Sequence, residues 1–134
     1  MKNVWERWVP RTEDYWGTFR VPFREIVTDV VDKATPPGGS VMDFGCGAGV
    51  QTFLLRQRRP DITIYAVDCN SQARNLTAIL MQKDEKLYIE DTPRTQGAMR
   101  AVDTILSIFT CTYLHPEELD RIMDAFCANA PTLI

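Results

Sequence analysis

Between Val41 and Gly49 the chain reads V-M-D-F-G-C-G-A-G, a short apolar run closed by an acid and followed by three glycines alternating with small residues. Such a run fits a buried parallel strand that turns sharply into a helix, because its apolar residues suit a core on both faces and its glycines accept positive φ. With no Cβ at Gly45, Gly47 or Gly49, a ligand can press against the backbone of the turn itself. The spacing excludes the dinucleotide fingerprint G-x-G-x-x-G, since the third residue after Gly47 is Val50.

Alternating patterns frame this turn. After Pro22, the residues Phe23, Ile26, Val27, Val30 and Val31 repeat at helical spacing, which predicts a helix over 22–33 with those five side chains inward. Pro36 to Gly39 ends it and delivers the chain to a strand over 40–44. A second helix begins at Val50, Phe53 and Leu54 and runs out in Arg56, Arg58 and Arg59, a basic cluster suited to a helix C-terminus. Residues 62–67 read as a second strand ending at Asp68. A helix over 71–82 follows, with Ala73, Leu76, Ile79 and Leu80 inward. Further strands are expected at 87–89 and 102–109. Pro116 opens a helix with Leu119, Ile122, Met123 and Phe126 inward, and residues 132–134 start a fifth strand. Strands alternating with helices predict an α/β, doubly wound, mostly parallel sheet of about five strands with flanking helices. Residues 1–20, with Trp5, Trp8, Tyr15 and Trp16, are set apart as an aromatic-rich arm or lid; 21–134 form the domain.

Composition narrows the partners. A chain of 134 residues supports one domain with a real core, and a net charge of −3 gives no broad attraction to nucleic acid or anionic membranes. Nothing approaches the roughly 18 apolar residues of a membrane span, and the N-terminus lacks a signal-peptide core. Four cysteines without paired spacing point to reduced thiols in a cytoplasmic setting.

The run from Val41 to Gly49 resembles motif I of the class I S-adenosylmethionine (SAM)-dependent methyltransferases, whose usual form is V-L-D-x-G-C-G-x-G. The resemblance implies a Rossmann-like sheet, SAM as cofactor and methyl transfer. Such a sheet normally has seven strands. The chain is therefore expected to be C-terminally short, holding the cofactor half and stopping at strand five, with a second copy or partner chain over the C-terminal sheet edge as one way to complete it.

Site residues follow from the same resemblance. Asp43 would order the turn, with Gly45, Cys46 and Gly47 along the amino acid part of SAM. Asp68 would accept the ribose hydroxyls, and charged acceptors make the stronger bonds; its alternative is a solvated strand-end carboxylate. Cys69 would pack on the adenine face. Many members read G-D-A-E-D-L-P at the next loop. Here the chain reads L-Y-I-E-D-T-P, with Tyr88 where the adenine-binding acid is expected, so that contact would fall to Ile89, Glu90 and Asp91. At the exit of strand four, Phe109 and Thr110 would neighbour the cofactor, and Tyr113 and His115 would face the methyl acceptor. His115, the only histidine, is the candidate general base by its intrinsic pKa; a capping role before Pro116 is the alternative. Tyr15 or Arg20 from the arm would bond the SAM carboxylate; the alternative, which three Trp in twenty residues favour, is that the arm packs on the outside of the sheet or contacts a partner chain.

Cys46, Cys69, Cys111 and His115 would gather near one sheet edge, but without the C-x-x-C spacing of a structural zinc site, so no metal is expected. Strand four lacks the N/D-P-P-Y/F/W run of amino-methylating DNA enzymes, and no Pro-Cys pair supports cytosine-C5 chemistry. A small-molecule acceptor is the default, with nucleic acid disfavoured. The alternatives are a non-catalytic SAM-binding subunit acting through a partner, and a different nucleotide-cofactor enzyme.

Overall fold

A computed structural model describes residues 21–93, 99–108, 110 and 114–134. Helix α1 (Val21–Ala34) precedes β1 (Ser40–Phe44), α2 (Val50–Arg58), β2 (Thr63–Val67), α3 (Ser71–Met81), β3 (Leu87–Glu90), β4 (Thr104–Leu106), α4 (Pro116–Asn129) and β5 (Thr132–Leu133). The five strands form one sheet in the order β3-β2-β1-β4-β5, every neighbouring pair parallel. The order runs one way from β1 to β3 and the other way from β4 to β5. The carboxyl ends of β1 and β4 therefore flank the switch point at which such sheets bind ligands.

Alternation along β1 builds two cores. Val41 faces α1 and α2 together with Val27, Val31, Leu55, Ile62, Ile64 and Leu106. Met42 and Phe44 face α4, where Ala125 and Phe126 pack with Val67, Val102 and Ile105. The Phe44 and Phe126 rings meet edge to face at 5.0 Å.

Two helix faces differ from expectation. In α1 only Val27 and Val31 of the five apolar residues are buried; Phe23, Ile26 and Val30 are exposed, Ile26 by 61%. The buried positions are instead Arg24, Val27, Thr28 and Val31, with Thr35 buried just past the helix end. The helix is turned so that its polar side chains meet Gln51 of α2, whose Nε2 donates to the Arg24 carbonyl and to Thr28 Oγ1. In α3, Ile79 points outward at 73% exposure while Ala73 and Thr77 are buried, because Thr77 is drawn to the glycine turn. Strand β4 is also shorter than the expected 102–109, spanning Thr104–Leu106; beyond it Thr110 lies at the end of β1, where its hydroxyl donates to the Phe44 carbonyl at 3.2 Å.

At the amino end of the sheet the basic cluster of α2 does specific work. The Arg56 guanidinium binds Asp84 and the carbonyls of Ile62 and Lys86, while Arg59 reaches Asp32, Asp61 and the carbonyls of Thr35 and Pro36. The carboxylate of Asp61, held by Arg59, has its pKa driven far below the ordinary value.

Candidate functional site

The turn between β1 and α2 sits at the switch point, and nearly all of its polar backbone is gripped. Gly45, Gly47 and Gly49 have φ of 79°, 57° and 85°, left-handed values that favour glycine. The Gly45 and Cys46 N–H groups both donate to the Val67 carbonyl at 2.7 and 3.0 Å, tying the turn to the end of β2. The Gly49 N–H returns to the Cys46 carbonyl. Gly49 then caps α2 in a left-handed conformation with no side-chain acceptor, which leaves the positive end of the helix beside the turn.

Asp68 stands one residue past β2. Its Oδ2 accepts the Gly47 N–H at 2.9 Å and its Oδ1 accepts the Asn70 N–H at 2.8 Å. Each carboxylate oxygen retains a second acceptor site. Burial raises the pKa of Asp68, opposed by these two backbone bonds. Asn70 caps α3 by accepting the N–H groups of Gln72 and Ala73. Arg74, one turn on, donates to the Asp68 carbonyl at 2.6 Å and pairs with Asp91 at 3.3 Å, so it joins the exits of β2 and β3.

Asp43 lies behind the turn. Its Oδ2 accepts the Thr52 hydroxyl at 2.7 Å. Burial pushes its pKa up to about 6, although Thr52 and the Arg24 charge pull the other way. Cys46 is buried with Sγ 3.8 Å from Thr77 Oγ1; burial, then Asp43 and Asp68, raise its pKa well above the usual thiol value, so it stays a thiol at neutral pH.

The remaining expected residues disperse more. Ile89 is half-buried in β3. The Glu90 carboxylate is taken by the Arg100 guanidinium at 2.5–3.1 Å, and Arg100 also lies over the Tyr65 ring at 4.9 Å. Tyr88 is paired with Tyr65 in the sheet register and stacks on it at 5.3 Å, two residues below the strand exit. Asp91 is thus the acid level with Asp68. Thr110 reaches the turn itself. His115 is the exposed N-cap of α4, its N–H donating to Glu118 Oε2 at 3.3 Å. Tyr15, Arg20, Phe109, Cys111 and Tyr113 lie outside the described residues, as does the expected arm over 1–20. Among the described residues, no three His, Cys, Asp or Glu side chains gather to hold a metal, and no helix is long and apolar enough to cross a membrane.

Sequence reasoning passed over Thr52, Thr77, Arg74 and Arg100. Thr77 had one signal: it lies four residues after Ala73 and seven after Asn70, on the face of α3 that returns to the turn.

The arrangement can hold a ligand with a vicinal diol at Asp68 and a polar chain along Gly45–Gly49. A family model described as a methyltransferase domain matches residues 41–129. The ribosomal RNA small subunit methyltransferase C of Acinetobacter baylyi is 36% identical over 73 residues, covering 52% of this chain and 22% of that protein. The carboxy-S-adenosyl-L-methionine synthase of Shewanella amazonensis is 27% identical over 109 residues, 72% of this chain and 42% of that protein. Among solved structures, a SAM-bound amino pentose methyltransferase from Micromonospora echinaspora superposes with a TM-score of 0.69 at 17% identity, over 87% of this chain and 49% of that one. The magnesium protoporphyrin IX methyltransferase of Synechocystis with bound SAH gives 0.65 at 18% identity, over 84% and 53%. The chain thus spans less than half the length of these two curated relatives and about half that of the two structures.

Proposed function

The chain belongs to the methyltransferase-domain family, and from that premise we propose that it binds S-adenosylmethionine at the Gly45–Gly49 turn and serves methyl transfer to a small-molecule acceptor. One observation carries the reading: the Asp68 carboxylate, at the carboxyl end of β2 beside the switch point, already grips the glycine turn through Gly47 and keeps acceptor sites for a ribose diol. When bound, the cofactor supplies a methyl group activated on a sulfonium. The chain's task is then to align, to enclose and to handle a proton.

The residues divide that task. Asp68 holds the ribose, and Asp91 with Ile89 and Cys69 forms the adenine side. Glu90 contributes through its backbone there, because Arg100 occupies its carboxylate. Gly45 and Gly47 bare the backbone where the amino acid portion lies, and the start of α2, whose Gly49 cap brings no side-chain acceptor, favours its carboxylate. Asp43, behind the turn, shapes it through Thr52 and makes no ligand contact. His115 and Tyr113 remain the acceptor-side candidates, and Tyr15, Arg20 and Phe109 the candidates for closing the site. The net charge of −3 supports a small acceptor over nucleic acid. The match to the ribosomal RNA enzyme covers only 22% of its length.

The test is calorimetric titration with S-adenosylhomocysteine, comparing wild type with Asp68→Ala. Binding is expected, and the mutant should lose about 1–3 kcal/mol, the scale of hydrogen bonds to a charged group. A fully folded mutant that binds like wild type would remove the ribose assignment. Binding of a nicotinamide dinucleotide in place of S-adenosylhomocysteine would remove the cofactor reading altogether.

A further inference from the structure

Thr77 is fully buried in the middle of α3, thirty residues from the turn in sequence. A helical threonine commonly turns its hydroxyl back onto the carbonyl four residues earlier. Thr28 does this in α1, donating to the Arg24 carbonyl at 2.9 Å. Thr77 instead donates across the core to the Gly47 carbonyl at 2.9 Å. Its side chain also fills the space beside Gly49, where an added Cβ would come within 2.9 Å of its Cγ2 and Oγ1.

The Gly47 residue is therefore held from both ends: its N–H by Asp68 Oδ2 and its C=O by Thr77 Oγ1. Asp68 Oδ1 in turn accepts the N–H of Asn70, the cap of the helix that carries Thr77. The bonds close a ring that runs from Asp68 through Gly47 and Thr77 along α3 to Asn70 and back. Gly47 has a left-handed φ of 57°; besides these two bonds, the Gly49 N–H holds the Cys46 carbonyl on one side of it and the Cys46 thiol lies 3.8 Å from the Gly47 carbonyl on the other. Releasing the carbonyl removes one restraint on the peptide that follows Gly47, and a shift of the Gly47 Cα that results carries the preceding N–H, the one Asp68 Oδ2 accepts.

We propose that Thr77 is a positioning residue for the cofactor: acting through Gly47, its hydroxyl sets the orientation of both the glycine turn and the Asp68 carboxylate, and so sets cofactor affinity. This rests on the reading of the turn as the SAM site and adds to it a residue that touches no ligand.

The experiment measures S-adenosylhomocysteine binding by calorimetry in the full chain, with amide exchange at residues 45–49 and thermal unfolding followed alongside. Thr77→Val keeps the shape and removes the hydroxyl; Thr77→Ser keeps the hydroxyl and removes the methyl. The Val variant should bind about tenfold more weakly, the scale of one lost hydrogen bond, and exchange faster at the turn. The Ser variant should bind within about twofold of wild type even where its melting temperature falls. If Thr77→Val does not fold, Thr77→Ala against Thr77→Ser gives the same comparison, since both lack the methyl and only Ser donates. Equal affinity within either pair, or a loss of affinity that tracks the methyl, overturns the positioning role while leaving the cofactor site intact. Wild type that binds no S-adenosylhomocysteine overturns the site reading and this inference with it.

Discussion

The Asp68 carboxylate accepts the Gly47 N–H at 2.9 Å, so the acid assigned to the ribose is also part of what holds the glycine turn in shape. Ligand-binding groups on separate loops would each have to be ordered when the ligand arrives. Here one carboxylate is ordered by the turn and orders it, which removes part of that cost before binding.

This double duty makes Asp68 structural even without ligand. In Asp68→Asn one oxygen becomes an NH2 donor, and it must face the Gly47 or the Asn70 N–H, both of which need an acceptor. The variant should lose about 1–3 kcal/mol in urea unfolding of the ligand-free protein. A midpoint unchanged from wild type would show that the two backbone bonds contribute nothing to the fold.

Asp43 should govern how stability varies with pH. Its pKa is raised from 3.8 to about 6, first by burial and next against the pull of Thr52 and Arg24, with Asp68 adding repulsion. The fold thus favours the protonated acid. The associated stability is fully present below pH about 4 and is lost as the pH rises through about 6, a change of about 3 kcal/mol for a group this buried. Asp43→Asn mimics the neutral form and keeps an oxygen to accept from Thr52. Urea midpoints should coincide near pH 4 and favour the variant at pH 8. A variant less stable than wild type at pH 8 contradicts the argument.

Why some of this was legible and some not follows from where the information resides. Strands β1 and β2 lie within one residue of their expected bounds, because burial on both faces writes a largely apolar run, broken only by Asp43 in Val41–Phe44 and by Thr63 in Ile62–Val67. The glycine turn was equally plain, since positive φ leaves its mark as glycine. Helix facing was not. In α1 the stripes Phe23–Ile26–Val30 and Arg24–Val27–Thr28–Val31 share one period, and hydrophobicity centres the expected face between them, taking in Val27 and Val31 but missing Arg24 and Thr28. What turns the helix is Gln51, a partner in another element. Thr77, beyond its helical spacing, and Arg74 were hard to read for the same reason: each acts through a carbonyl at the turn or the exit of β2, and a carbonyl has no residue type to read.

Arg56 offers a control far from the site. Its guanidinium meets Asp84 through two nitrogens and the carbonyls of Arg59, Ile62 and Lys86, with both charged side chains only 13% and 15% exposed. A lysine ammonium is a single point that cannot span this set. Arg56→Lys should cost about 1–3 kcal/mol of stability while leaving S-adenosylhomocysteine affinity of the folded protein unchanged. A weakened affinity in fully folded protein would mean that the two ends of the sheet are coupled.

Gly45 and Thr110 meet where the end of β1 passes the exit of β4. Gly45 has φ of 79°, and a Cβ there would run into the Thr110 hydroxyl, methyl and Cβ. Two separate penalties follow for Gly45→Ala: the left-handed backbone, about 1–2 kcal/mol, and the collision. They can be pulled apart because Thr110→Gly removes the collision and leaves the backbone term. Gly45→Ala should cost about 2–4 kcal/mol in the wild-type background and only about 1–2 kcal/mol beside Thr110→Gly. Chemical denaturation of the four proteins of this cycle measures the difference. Additive costs would mean that Thr110 does not rest on Gly45, and the strand-four exit would then lose its place against the turn.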